Sequence, residues 1–304
     1  MKNKKRFIIK NKGRFLTVLI IGIGISFLTG VNVGRKISKN LEESSIVEKK
    51  EIESIAEPVL DDNQEEKKEQ DKEGREDKEV DSDNKQQKNI EDYEKVAFLT
   101  FDDGPTRNTD TILDILAEYD VQGTFFVLGS SIQNQSNSEL VLNRMIDENH
   151  YIGLHSMTHD IKRLYQGQGA AQNFLKEMIE VQDLVKEITD GFESHLFRAP
   201  YGTYGTFSSQ HTQLMVNSDL KGWDWNIDSN DWRATSTSQI MKNIKHGIEG
   251  SNNPNQLVVL FHEKDITVEA LPSVIEYLLE QGYELLPYDP SYHFPMNLIN
   301  DPNL

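Results

Sequence analysis

From Lys95 onward, short apolar runs alternate with stretches in which apolar residues recur at helical spacing. The first run is Val96–Phe101, the most apolar is Leu257–Phe261, and the last is Tyr283–Leu286. About seven strand–helix units of this kind predict parallel strands covered by helices. We therefore expect an α/β fold, a compact (β/α)7 barrel, and a doubly wound open sheet is the structural alternative.

The intervening strands and helices are placed by the same periodicity. Strands are predicted at Gly123–Leu128, Ile152–His155, Leu196–Ala199 and Gly222–Ile227. Helices are predicted near residues 112–119, 138–148, 174–188, 208–216, 237–248 and 271–278. In a parallel barrel the functional groups lie where strands end and loops begin, so the residues that follow each strand matter most.

The N-terminal region has the pattern of a membrane anchor. Residues 1–40 contain ten Lys or Arg and no acid, and the run Phe15–Gly34 is uncharged over 20 residues. A helix of that length spans about 30 Å, the thickness of a bilayer core. Because basic flanks favour the cytoplasmic side, we predict a cytoplasmic segment at 1–14 and a transmembrane helix at 15–34. A cleaved signal peptide, with its shorter apolar core and small-residue cleavage site, is the alternative.

A charged linker is predicted to follow at residues 35–94. Residues 41–94 carry 21 acidic and 9 basic residues, and the first aromatic residue is Tyr93. Such a segment buries too little apolar area to offset the entropy of ordering, so we expect disorder. A solvated helix in places and a partner-binding segment are the alternatives. The predicted catalytic domain is 95–290, and 291–304 forms a C-terminal tail to which the sequence assigns no role.

Composition excludes several functions for the domain. Residues 95–304 carry 29 acidic and 13 basic residues, so nucleic acid would be repelled, whereas a neutral polysaccharide would not. The chain has no cysteine, which removes disulfides, thiolate metal sites and cysteine nucleophiles. We expect the catalytic domain to act as a monomer.

Two motifs supply candidate metal ligands. Residues 100–105 (TFDDGP) place Asp102 and Asp103 directly after an apolar strand, where two unpaired carboxylates would repel each other. His155 and His159 follow the strand at Ile152, and on a helical turn residues four apart share a face. Two histidines and one carboxylate are a usual set for a catalytic zinc ion. Taken singly, a turn that starts at aspartate and two surface histidines are the competing explanations.

Three further motifs supply candidate catalytic groups. Arg198 lies within an apolar strand and needs an anion, for which Asp102 is the obvious candidate. The turn after it could aim the backbone N–H of Tyr201 into the site. His262 ends the most apolar strand, and Asp231 is a carboxylate partner that would make it a general acid. A structural salt bridge and a core histidine are the competing explanations.

One of these motifs has a tryptophan at each end. Residues 225–232 (WNIDSNDW) end a predicted strand and have the composition of a sugar-binding rim. Core packing is the competing explanation, and it applies more to Trp223 than to Trp232.

Taken in order, the five motifs resemble those of the polysaccharide deacetylases of the NodB-homology group, carbohydrate esterase family 4. The resemblance covers about residues 95–290 and implies a distorted, NodB-type (β/α)7 barrel. It also implies the following roles: Asp102 as general base; Asp103, His155 and His159 as metal ligands; Arg198 positioning the base; Tyr201 holding the oxyanion through its N–H; Asp231 tuning His262, the general acid; Trp232 as pocket wall; and Leu260 lining the acetyl pocket.

The resemblance implies a divalent metal ion, zinc first, with cobalt and manganese as alternatives. It also implies removal of acetyl groups from N-acetylglucosamine units of a cell-surface polysaccharide, peptidoglycan first. From the predicted anchor we expect the catalytic domain to lie outside the cell membrane, in a Gram-positive bacterium. Poly-N-acetylglucosamine or chitin-type oligomers, O-acetyl esters, and an inactive glycan-binding module are the alternatives. Asp160, Glu263 and Thr206 depart from the family pattern, and they leave the substrate open.

Overall fold

The computed structural model describes residues 90–304. The predicted cytoplasmic segment, the predicted transmembrane helix and the linker up to residue 89 lie outside the described residues. None of the helices in the described part of the chain has the length and apolar character that a bilayer crossing requires.

Eight strands and eight α-helices make up the described region. The strands are β1 Val96–Gly104, β2 Thr124–Val127, β3 Tyr151–Leu154, β4 Leu196–Phe197, β5 Lys221–Gly222, β6 Ile227–Asp228, β7 Gln256–His262 and β8 Glu284–Leu285. The helices are α1 Thr109–Glu118, α2 Gly129–Asn134, α3 Ser138–Asp147, α4 Ile161–Tyr165, α5 Ala170–Ile188, α6 Ser209–Val216, α7 Thr237–Glu249 and α8 Asp265–Glu280.

All strand pairings are parallel, and the order across the sheet is β5-β4-β3-β2-β1-β7-β6, with β8 beside the start of β1. This is the order of a barrel that is open between β5 and β6. The α/β half-barrel agrees with the predicted (β/α)7 class. One strand prediction was wrong: Gly222–Ile227 is not one continuous strand but is divided into β5, which pairs with β4, and β6, which pairs with β7.

Alternation along β1 and β7 separates two layers of core. Ala97, Leu99 and Phe101 face the helices, whereas Val96 and Phe98 face the barrel interior. On β7 the outward-facing residues Leu257, Val259 and Phe261 lie in the helix layer in the same way. Since successive side chains point to opposite faces, Asp102 and His262 continue the inward rows of their strands. The alternation along the strands therefore places Asp102 and His262 at the same end of the barrel.

Aromatic rings fill the barrel interior. Trp223 is 1% exposed and meets Phe98, Tyr288 and Phe294 edge-on, with ring centroids 5.0–5.2 Å apart. Trp232, in contrast, is 56% exposed. Core packing is therefore the correct explanation for Trp223, and Trp232 remains available to a ligand.

The C-terminal segment lies against the open edge of the half-barrel. Met296 forms a parallel bridge with Trp223, next to the edge strand β5. The Leu298 N–H donates to Asp224 Oδ2 at 2.9 Å and to Thr203 Oγ1 at 3.0 Å, and the side chain of Leu304 is buried. Residues 294–304 thus cover an edge whose unpaired backbone groups would otherwise be exposed.

The two tryptophans give a test of the fold. Trp223→Ala is expected to lower the free energy of unfolding by about 3–5 kcal/mol, because it empties a packed interior. Trp232→Ala, the matched control, is expected to change it by less than about 0.5 kcal/mol. Urea denaturation of both variants measures the difference, and equal losses would contradict the assignment of the interior.

Candidate metal and catalytic site

The end of β1 separates two adjacent aspartates. The register with β2 shifts between Asp102 and Gly104, which is the signature of a bulge, and Asp103 has φ +71°. Asp102 therefore points inward and is buried, whereas Asp103 is half-buried at the rim. A Cβ at Gly104 would collide with the Glu263 carboxylate, so a side chain here would have to displace Glu263.

The two motif histidines are not on a helical turn. They lie in the loop between β3 and α4, where Ser156 has φ +71° and His159 has φ +56°. The prediction of a shared helical face was wrong because residues 155–160 are not helical and α4 begins only at Ile161. The left-handed residues nevertheless bring the two rings together, with centroids 5.2 Å apart.

Asp103, His155 and His159 form a cluster that fits a divalent metal ion. One ligand atom from each lies within 4.8 Å of the others, and Asp103 Oδ1 is 3.6 Å from both Nε2 atoms. His155 Nδ1 lies 2.9 Å from the Arg198 carbonyl oxygen, which requires the proton on Nδ1 and leaves the Nε2 lone pair free.

The carboxylate in this cluster lacks another partner. Asp103 Oδ1 is buried and has no hydrogen-bond donor among the described residues. A buried carboxylate oxygen facing two imidazole nitrogens is the donor set of a catalytic zinc site with open positions. The three residues thus fit the predicted group, and their role as ligands stays a prediction.

Arg198 holds the neighbouring carboxylate. Its Nη1 donates to Asp102 Oδ1 at 2.9 Å and to Thr100 Oγ1 at 2.7 Å, and the whole side chain is buried. Asp102 Oδ2 remains on the side of the histidines, 3.7 Å from His155 Nε2. The structure therefore brings together the predicted base and the arginine predicted to position it.

His262 is paired with Asp231 as the sequence suggests. His262 Nδ1 lies 2.8 Å from Asp231 Oδ1, and the backbone N–H of His262 donates to Asp231 Oδ2 at 2.6 Å. Burial lowers the pKa of His262, but the hydrogen bond to Asp231 and the nearby charge of Asp102 outweigh it and raise the pKa above its usual value. The pairing favours a protonated imidazole, which a general acid requires.

The remaining predicted residues lie around the same end of the barrel. Tyr201 has φ +67°, and its N–H makes no hydrogen bond to another described residue. The Tyr201 ring is 50% exposed and packs on His159 at 4.5 Å between centroids. Leu260 is buried and lies one inward position before His262. The roles given to Tyr201, Leu260 and the exposed Trp232 stay predictions.

Glu263 makes contacts beside the site that the sequence did not indicate. Its Oε2 accepts from the Thr106 N–H at 2.9 Å and from the Thr109 hydroxyl, and its Oε1 is buried without a donor among the described residues. The pKa of Glu263 is raised to about 7, and burial is the largest cause. This carboxyl ties the β7 end to the loop after Asp103. Sequence reasoning noted it only as a departure from the family pattern, because its partners lie more than 150 residues away.

Glu263 gives a pH-dependent test of stability in metal-free protein. A buried acid with a raised pKa stabilises the fold below the unfolded pKa near 4.5, and that stability is lost as pH rises through about 7. The free energy of unfolding is therefore expected to fall between pH 4.5 and 8. In Glu263→Gln the decrease in the free energy of unfolding over this pH range should be smaller by on the order of 3 kcal/mol.

The measurement is urea denaturation across that pH range, with chelator present. Glu180→Gln, an exposed carboxyl with an ordinary partner in Lys176, is the control and should follow wild type. A Glu263→Gln profile parallel to that of wild type would show that Glu263 is ionised throughout.

Comparison with known proteins identifies the family. A family profile described as polysaccharide deacetylase matches residues 89–217. A peptidoglycan-N-acetylglucosamine deacetylase of Bacillus cereus is 33% identical over 213 residues, which are 68% of this chain and 74% of that protein. The Listeria monocytogenes enzyme of the same name is 30% identical, but the match spans only 38% of its length.

Solved structures give the same result. The crystal structure of a polysaccharide deacetylase from Bacillus cereus superposes with a TM-score of 0.63 at 34% identity, covering 69% of this chain and all of that one. A Streptococcus mutans CE4 esterase superposes with a TM-score of 0.59 at 29% identity, covering 64% and 87%.

Fold and site together define a parallel α/β half-barrel hydrolase with an Asp/His/His cluster beside an arginine-held carboxylate and an aspartate-held histidine. The chain belongs to the polysaccharide deacetylase family, NodB-homology carbohydrate esterase family 4, and is a hydrolase of carbon–nitrogen bonds.

Proposed function

We propose that the chain is a metal-dependent N-deacetylase acting on N-acetylglucosamine residues of a cell-wall polysaccharide, with peptidoglycan as its substrate. One observation carries the proposal: a carboxylate held by Arg198, a histidine held by Asp231 and the Asp103, His155 and His159 cluster lie at one end of the barrel. A module that only binds glycans needs neither a positioned base nor a positioned acid.

Asp103, His155 and His159 would hold the metal ion, zinc first, with cobalt or manganese as alternatives. When bound, such an ion lowers the pKa of water and polarises a carbonyl group. Asp103 lacks a cationic partner within the described residues, so its charge is free to offset that of the ion. His155 is oriented for this purpose by the Arg198 carbonyl.

Asp102 is suited to take the proton from the attacking water. Its Oδ1 is held by Arg198, so only Oδ2, which faces the histidine cluster, is available to accept. As the water oxygen bonds to the acetyl carbon, negative charge develops on the carbonyl oxygen. The unpaired N–H of Tyr201 supplies a hydrogen bond to that oxyanion.

His262 is suited to protonate the leaving nitrogen. Asp231 occupies its Nδ1, so Nε2 is the nitrogen that carries the proton to the substrate. The carbon–nitrogen bond then breaks, and the products are acetate and a free amine. An amide anion is a poor leaving group, so this acid matters more for an N-acetyl group than for an O-acetyl ester. That asymmetry favours N-deacetylation over the esterase alternative.

The substrate proposal rests on the rim and on the relatives. Trp232 and Tyr201 are exposed beside the site, and aromatic faces of this kind pack against sugar rings. The names of the relatives in Bacillus and Listeria specify peptidoglycan N-acetylglucosamine. A transmembrane helix at 15–34 and a linker at 35–94 would hold the domain outside the cell membrane, next to the wall.

Asp102→Asn tests the mechanism. It is expected to lower the rate of acetate release from peptidoglycan by at least about 100-fold, since an amide cannot accept the proton. Zinc affinity should stay near that of wild type because Asp102 is not among the three ligands. Asp114→Asn, an exposed aspartate paired with Arg144, is the control and should be fully active.

Acetate release is measured on peptidoglycan, N-acetylglucosamine oligomers and acetylated xylan. Preference for the oligomers or for xylan would replace the proposed substrate by one of its alternatives. Equal rates for wild type and Asp102→Asn would reject the mechanism itself.

Asp231→Asn tests the acid. Because Asp231 contributes to the raised pKa of His262, removing its charge should lower that pKa. The acid is active only when protonated, so the alkaline limb of the kcat/KM profile should move to lower pH. Asp114→Asn should leave the profile in place, and an unshifted limb in Asp231→Asn would mean that another group is the acid.

A further inference from the structure

Glu177 is a buried acid on a helix that the mechanism does not use. It lies on α5 between Phe174 and Met178, on the face that packs against the barrel, and its side chain is 0% exposed. A carboxylate at such a core position is costly unless it is paired and hydrogen-bonded. Its partners therefore indicate what it is for.

Those partners are in the loop that carries the two histidines. Glu177 Oε2 accepts from the Thr158 backbone N–H at 2.9 Å, and both carboxylate oxygens lie within 3.1 Å of the Thr158 hydroxyl. Arg163 Nε approaches Oε1 at 2.5 Å. Thr158 directly precedes His159, so the carboxylate binds the peptide that leads into that predicted ligand.

The backbone around Thr158 needs such support. Ser156 and His159 both have left-handed φ values, which are unfavourable for residues other than glycine and persist only where the surroundings fix them. Inside the loop, the His159 N–H donates to Ser156 Oγ at 3.0 Å. Glu177 is the contact that ties this loop to a long, well-packed helix.

We propose that Glu177 is a positioning residue that sets the affinity of the Asp103, His155 and His159 cluster for its divalent metal ion. It acts through Thr158, whose peptide it fixes, and not by contact with the ion. The inference rests on the metal site of the proposed function and adds a residue outside the five motifs. A purely structural role, docking α4 onto α5 through Arg163, is the alternative.

Hydrogen-bond geometry makes glutamine a discriminating substitution. Each oxygen of Glu177 receives an N–H: Oε2 from Thr158 and Oε1 from Arg163. An amide at this position must turn its NH2 group toward one of these donors, so one of the two contacts is lost. Glu177→Gln therefore disturbs the clamp while preserving the size of the side chain.

The test is the zinc affinity of the full-length protein, measured by competition with a chromophoric chelator. Glu177→Gln is expected to weaken zinc binding about 10–100-fold, the usual effect of losing a residue that orients ligands. Glu180→Gln, on the same helix and in an exposed ion pair with Lys176, is the matched control and should bind as wild type does. The visible spectrum of the cobalt-substituted protein should change in Glu177→Gln and not in Glu180→Gln.

A second variant separates positioning from folding. Thr158→Val removes the hydroxyl partner but keeps the backbone N–H, so it should weaken zinc binding less than Glu177→Gln does. Excess zinc should restore acetate release in both variants, which a general loss of structure would not allow. If both variants bind zinc with wild-type affinity, the inference is overturned. If Glu177→Gln fails to fold, Thr158→Val decides alone, and wild-type zinc affinity in that variant overturns the inference.

Failure of the proposed function would give different experimental results from failure of the inference about Glu177. Wild-type protein that binds no zinc or releases no acetate would reject that function. Normal wild-type behaviour together with unchanged variants would reject only the role of Glu177.

Discussion

The buried guanidinium of Arg198 is the interaction on which the rest of the site depends. It has no exposure to solvent, and its N–H groups donate to Asp102, to Thr100 and to the carbonyls of Trp223 and Asp224. Removing one partner from a buried charge of this kind costs several kcal/mol. The arginine therefore fixes the ends of β1 and β4 and the chain after β5 relative to one another.

The same guanidinium gives two adjacent carboxylates different chemistry. Asp102 Oδ1 accepts from Arg198 and its Oδ2 lies on the side of the histidines, whereas the buried oxygen of Asp103 has only imidazoles near it. The guanidinium thus offsets the negative charge of one of the two neighbouring carboxylates. The bulge after Asp102 completes this division because it takes Asp103 out of the outward row, which packs against the helices, and leaves it half-buried at the rim.

Much of this arrangement could be predicted because it follows from strand periodicity. The alternation along β1 and β7 points Asp102 and His262 inward, and parallel strands place their ends together. An arginine in an apolar strand must find an anion, which identified its pairing with Asp102. These inferences need only local sequence and a rule about burial.

Other features could not be predicted, for physical reasons. The loop of His155 and His159 is not helical, because left-handed residues at non-glycine positions leave no signature in the sequence. Glu177 and Glu263 look like ordinary surface acids until distant partners show that both are buried.

The C-terminal segment has a consequence for the order in which the molecule assembles. Thr203, two residues after Tyr201, receives the Leu298 N–H across a separation of 95 residues. Contacts between such distant residues must await closure of the intervening loop, and chains emerge from the ribosome N-terminus first. β1, which carries Asp103, likewise pairs with β7, which is synthesised more than 150 residues later. The described end of the barrel therefore reaches its final packing only after nearly the whole domain has been synthesised.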